Sequence, residues 1–144
     1  MRAAVVSDTP VVTHDFYPTF MQLAGVRPRD RQPVDGISLT PLFSGRADLA
    51  RDTLYWHYPR VQPHSLGGRS AGAVRAGDYK LIQFFDTGEL ELYDLRVDVG
   101  EANNLASSMP GKVADMREML GAWRQTTNAS MEPMRTLAMT HAGR

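Results

Sequence analysis

AVRAGDYKLIQFFDTGELELYDL, residues 73–95, contains three strand-like runs, Ala73 to Arg75, Tyr79 to Phe84 and Leu90 to Leu95. They are separated by Ala76-Gly77-Asp78 and by Asp86-Thr87-Gly88-Glu89. Glycine-bearing links this short join antiparallel neighbours, because the chain can reverse in so few residues only through a tight turn. In the last run Leu90, Leu92 and Asp94 share one face and Glu91, Tyr93 and Leu95 the other, which predicts one covered side and one partly wet side. Upstream, TLYWHY (residues 53–58) is rich in β-branched and aromatic residues and predicts a further strand, stopped by Pro59. Between them RVQPHSLGGRSAG, with Pro63, Gly67 and Gly68, is expected to be a mobile loop. Downstream, DVGEANNLASSMP (residues 98–110) is turn-rich, and Lys112 to Thr126 then sets Val113, Met116, Met119, Leu120 and Trp123 on one helical stripe. Strands grouped together and followed by a packing helix predict an α+β layer: a small antiparallel sheet of about four strands with a C-terminal helix across it.

The N-terminal part has a different texture. VVTHDFYPTFMQLAG (residues 11–25) offers Asp15 as an N-cap, then Phe16, Phe20, Leu23 and Ala24 at helical spacing. Pro18 suits a first turn, and Gly25 suits the left-handed position after a helix. Pro28 and Pro33 then break a polar loop, and Ser38 offers a cap for a brief turn through Leu39, Pro41, Leu42 and Phe43. These changes divide the chain into residues 1–50, 51–130 and a tail, 131–144, expected to be flexible.

Sixteen Lys and Arg balance sixteen Asp and Glu in 144 residues, so no net field attracts nucleic acid or an anionic membrane surface. No apolar run reaches the roughly 18 residues that read as a spanning helix, and the first residues lack the apolar stretch of an export signal. The absence of cysteine rules out disulfides, thiolate zinc sites and thiol nucleophiles within these residues.

Catalytic chemistry needs an activated nucleophile or convergent metal ligands. GxSxG, HExxH, GxxxxGK[ST], CxxC and GxGxxG are all missing. None of the histidines, His14, His57, His64 and His141, lies three or four residues from another, so no helix presents two of them to one ion. We therefore expect neither a catalytic residue nor a metal site in this chain. His57 is either an ordinary strand histidine bonded to a backbone carbonyl or a polar contact at a cleft rim; His64 and Arg69 could bind an anionic group from the loop. Lys80 suits a strand lysine with its stem on apolar surface, and Asp94, Asp98 and Glu101 suit a turn that bonds nearby backbone N–H groups.

The order of segments then carries a resemblance. VSDTPVVTHDFYPTFMQLAGV, DGISLTPLFSG, LYWHYP, AVRAGDYKLIQFF, ELELYDLRVDVGEANNLA and MLGAW follow one another over nearly the whole chain. Together they resemble the C-terminal part of the type I sulfatases of the alkaline phosphatase superfamily. The resemblance implies that residues 1–50 are the tail end of a large α/β catalytic domain, with the DFYPT helix at its edge, and that 51–130 form the C-terminal subdomain. In such enzymes a CxPxR or SxPxR motif supplies formylglycine, and calcium neutralises the sulfate oxygens. This chain has no cysteine and no serine that begins SxPxR, so formylglycine and calcium are expected only in the missing N-terminal sulfatase domain, its natural partner. What carries over is contact with a sulfated carbohydrate or aryl sulfate substrate through His57, His64 and Arg69. A sulfated-glycan-binding module without chemistry, and the C-terminal part of a phosphonate or phosphodiester hydrolase, are the alternatives. The resemblance also implies a periplasmic or secreted setting for the complete enzyme, and it implies that the DFYPT helix, cut from its domain, exposes an apolar face.

Overall fold

The computed structural model describes residues 6–30, 32–45, 49–60 and 68–131. They belong to two compact units, Met1–Asp52 and Thr53–Arg144. The expected mobile loop falls largely on residues 61–67, and the expected flexible tail on 132–144; both lie outside the described residues.

In the second unit, β1 (Thr53–Tyr58), β2 (Ala71–Ala76), β3 (Tyr79–Phe84) and β4 (Leu90–Asp94) make one sheet in the order β1-β2-β3-β4, antiparallel throughout. Gly77 takes φ 57° in the β2–β3 turn and Gly88 φ 75° in the β3–β4 turn, the left-handed conformation for which glycine carries no steric penalty. β2 begins two residues before the run read from sequence, at Ala71, because Gly72 joins the ladder opposite His57 and Gln83. The side chain of Phe85 lies over that glycine: a Cβ there would come within 2.9 Å of Phe85 Cζ. β4 ends one residue earlier than expected, where the Leu95 N–H donates to the Asp78 carbonyl in the β2–β3 turn.

The period of two puts Tyr55, Val74, Leu81 and Leu92 side by side across the sheet. α3 (Pro110–Thr126) lays Met116 and Leu120 on that row, and Val74, Leu81, Leu92, Met116 and Leu120 form the buried core. Removing each large aliphatic side chain from water contributes about 1.5–3 kcal/mol. Pro110 lies in the first turn, where its missing N–H is no loss. At the other end Asn128, at φ 49°, does the work usually given to glycine. The Ala129 N–H reaches the Arg124 carbonyl and the Asn128 N–H the Gln125 carbonyl, closing the helix in a Schellman arrangement. The outer edge of β4 is also covered: the Asn104 side chain accepts the Leu92 N–H at 3.1 Å, and Leu105 N–H donates to the Leu92 carbonyl at 2.7 Å.

In the first unit a single 3-10 turn, Thr13–Asp15, leads into α1 (Phe16–Leu23), and α2 (Thr40–Phe43) follows. Asp15 does precede α1, but its carboxylate does not cap it. It accepts the Val12 and Ile37 N–H groups and both terminal nitrogens of Arg51, the latter at 2.7 Å each. A bidentate guanidinium and two loop amides outbid one helix N–H for a carboxylate that is fully buried. α1 is amphipathic in an inverted sense. Thr19 faces inward, donating to the Asp15 carbonyl and accepting the Leu39 N–H. Phe16, Phe20 and Leu23 are 48%, 63% and 57% exposed.

Candidate functional site

His57 and Arg69, both read from sequence as possible substrate contacts, lie on opposite faces of the sheet. His57 shares its row with Gly72 and Gln83, on the side that α3 covers. Its ring packs 5.4 Å from Phe85 and 6.4 Å from Trp123, and Nε2 is 2.9 Å from the Ser130 carbonyl oxygen. That bond requires a proton on Nε2, and Nδ1 is buried with no hydrogen-bond partner among the described residues. Gly72 is what lets Phe85 lie flat enough to meet His57.

Arg69 is on the other side, its guanidinium 3.8 Å above the ring of Phe84. It donates to Asp86, Glu89 and Thr87. Hydrogen bonds donated to Asp86 and then to Glu89 raise its pKa, and the same Arg69 contact lowers that of Asp86. Arg69 thus pins the β3–β4 turn to the start of β2 while its side chain remains 38% exposed. His64 lies outside the described residues.

The other polar residues weighed from sequence hold the backbone. Lys80 Nζ pairs with Glu101 at 2.6 Å, and Glu101 sits at φ 55°. Asp98 accepts the Ala102 and Asn103 N–H groups, which lower its pKa. Tyr93, largely buried, donates to Glu91; burial first and the Glu91 carboxylate second push its pKa up to about 12. The Asp15–Arg51 pair escaped the sequence reading, because nothing local links residues 36 positions apart. Burial opposes the Asp15 charge, but the Arg51 hydrogen bonds with the Val12 and Ile37 amides overcome it and hold the carboxyl at about 2.

Among the described residues no three His, Asp or Glu side chains gather as a metal site, and the sequence supplies no thiol. The described side chains offer no ligand set for calcium, and the sequence has neither a cysteine nor an SxPxR serine from which formylglycine could be made. No described helix is long and apolar enough to cross a membrane.

A four-stranded antiparallel meander packed by one helix defines a small α+β fold. The chain belongs to the family of N-sulphoglucosamine sulphohydrolase C-terminal domains, whose model matches residues 1–126: it is a sulfatase C-terminal domain. An N-acetylglucosamine-6-O-sulfatase of Bacteroides thetaiotaomicron is 33% identical over 111 residues, which cover 73% of this chain and 19% of the relative. The solved structure of BT4656 in complex with its substrate, D-glucosamine-2-N,6-O-disulfate, superposes with TM-score 0.61 and 31% identity over 77% of this chain and 23% of that one. A phosphonate monoester hydrolase from Silicibacter pomeroyi matches with TM-score 0.57 at 20% identity, over 78% of this chain and 24% of that one, which shows the shared fold alone. The chain therefore spans about a fifth to a quarter of the length of the proteins it matches.

Proposed function

We propose that this chain serves as the C-terminal subdomain of a sulfuric ester hydrolase acting on sulfated carbohydrate or aryl sulfate. In this reading the nucleophile and calcium come from a catalytic domain outside these 144 residues. The observation that carries it is the family match over residues 1–126, joined to relatives of which the chain spans only 19% to 24%. The sulfated glucosamine named for two of those relatives favours a sulfated sugar. Phe16, Phe20 and Leu23, apolar and open on α1, supply a face that such a domain would cover.

Substrate contact is part of the same proposal. Of His57, His64 and Arg69 we carry Arg69 forward, because its guanidinium is partly open to solvent; a sulfate there would have to compete with Asp86 and Glu89 for its donors. The test is to exchange this chain for the equivalent C-terminal residues of the Bacteroides 6-O-sulfatase and to assay N-acetylglucosamine 6-sulfate and an aryl sulfate. We expect turnover by the chimera, none by the isolated chain, and a raised KM with little change in kcat for Arg69→Gln. Turnover by the isolated chain would overturn the subdomain reading; a folded but inactive chimera would count against the sulfatase assignment.

A further inference from the structure

Arg124 is a half-buried guanidinium with no carboxylate partner among the described residues. Its Nη2 donates to the neutral Gln83 side chain at 2.7 Å, and its plane lies 5.3 Å from the centroid of Phe85. Among the described residues no ion pair involves it, whereas Arg51, Arg69 and Arg96 each have an acidic partner. Burial, and then the like charge of Arg117, lower its pKa, the mark of a cation lacking compensation. Taking a charge out of water without a counter-charge is costly, and the cost is recovered when an anion arrives.

There is room for one. Arg124 lines a cavity of about 420 Å³ together with Gly121, Gln125, Asn128, Ala129 and Met131. Among the described residues no acidic side chain lines it, and Gln125 and Asn128 add two carboxamides that can donate. The end of a helix would ordinarily repel an anion through its free carbonyls. Here the carbonyls of residues 122–125 are engaged: Ala122 by the Thr126 hydroxyl, Trp123 by the Thr127 hydroxyl and amide, Arg124 by the Ala129 amide and Gln125 by the Asn128 amide. We propose that this cavity at the C-terminal end of α3 binds a sulfate-type oxyanion, with Arg124 as the charged donor and Gln125 and Asn128 completing the cradle. The proposal does not depend on the catalytic reading.

The experiment is an NMR titration of the full chain with sodium sulfate and, separately, with N-acetylglucosamine 6-sulfate, against sodium chloride at matched ionic strength. Saturable shifts centred on the amides of Arg124, Gln125 and Asn128 are expected with at least one of the two, and the pair separates a free ion from a sugar ester. Arg124→Gln should weaken binding about tenfold or more, the effect of losing a charge-assisted hydrogen bond. If that variant fails to fold, Asn128→Asp decides: aspartate tolerates the left-handed backbone and places a carboxylate beside Arg124, so binding should be lost from a folded protein. Shifts no larger than those with chloride, or binding that survives Asn128→Asp, would overturn the proposal.

Discussion

Arg51 holds Asp15 with two parallel hydrogen bonds of 2.7 Å, and Asp15 in turn accepts the amides of Val12 and Ile37. One carboxylate thereby ties the entry to α1, the loop before α2 and the segment that follows α2. The arrangement makes a fully buried charge the organising group of the first unit.

Asp15→Asn should cost about 3–5 kcal/mol, since it leaves the Arg51 guanidinium without its counter-charge. Amide exchange at Ile37 and Leu39 is the direct readout, and protection there should collapse while that of Leu81 and Leu92 persists. Unchanged protection at Ile37 would show that the carboxylate is dispensable.

The same group sets an acid limit. Its carboxyl lies at about 2 against an ordinary 3.8, and a carboxyl depressed by folding contributes stability that is present above the unfolded value and lost as pH falls through the folded one. Protection of the Ile37 amide should therefore hold above pH 3.8 and fall away toward about 2. Loss of that protection already at neutral pH on adding salt would mean that screening, not protonation, governs the pair.

Gly72→Ala should destabilise the sheet by about 1–3 kcal/mol through overpacking, because the new methyl would sit 2.9 Å from Phe85 Cζ. A calorimetric melt measures this, and Phe85→Leu in the same chain should return part of the loss. If Gly72→Ala melts with the parent, Phe85 must have somewhere else to go.

Tyr93 should ionise near 12 instead of 10. A phenol whose pKa is raised by folding contributes stability that is full below its unfolded value and lost as pH rises through the folded one. Phenolate absorbance should show a late step coincident with alkaline unfolding and missing in Tyr93→Phe. A step that remains in that variant would assign it to another residue.

Phe20→Glu with Leu23→Glu should cut dye binding to exposed apolar surface while shifting stability by no more than about 0.5 kcal/mol, as for other exposed positions. A large fall in melting temperature would show that these side chains support the first unit from outside.

The sheet and its helix were legible in the sequence because each rests on local patterns. Alternation of two put Leu90 and Leu92 on one face, Gly77 and Gly88 marked the reversals, and the spacing of Val113, Met116, Leu120 and Trp123 described a stripe before any partner was known. The missing thiol and missing motifs were equally plain, since chemistry needs atoms that are either there or not. Distances between residues remote in sequence were settled only by the tertiary structure. Asp15 looked like a helix cap until Arg51, 36 residues on, proved the stronger partner. His57 on its strand and Arg69 in the loop that follows were both read as possible substrate contacts, yet pleating turned His57 toward α3 while Arg69 settled over Phe84 on the other face. Arg124 drew no notice in the sequence; folding set it beside Gln83 and Phe85, with no acidic partner among the described residues. Backbone preference acts within a few residues and leaves a trace in sequence, whereas pairing of charges and stacking of rings depend on which faces the folded chain brings together.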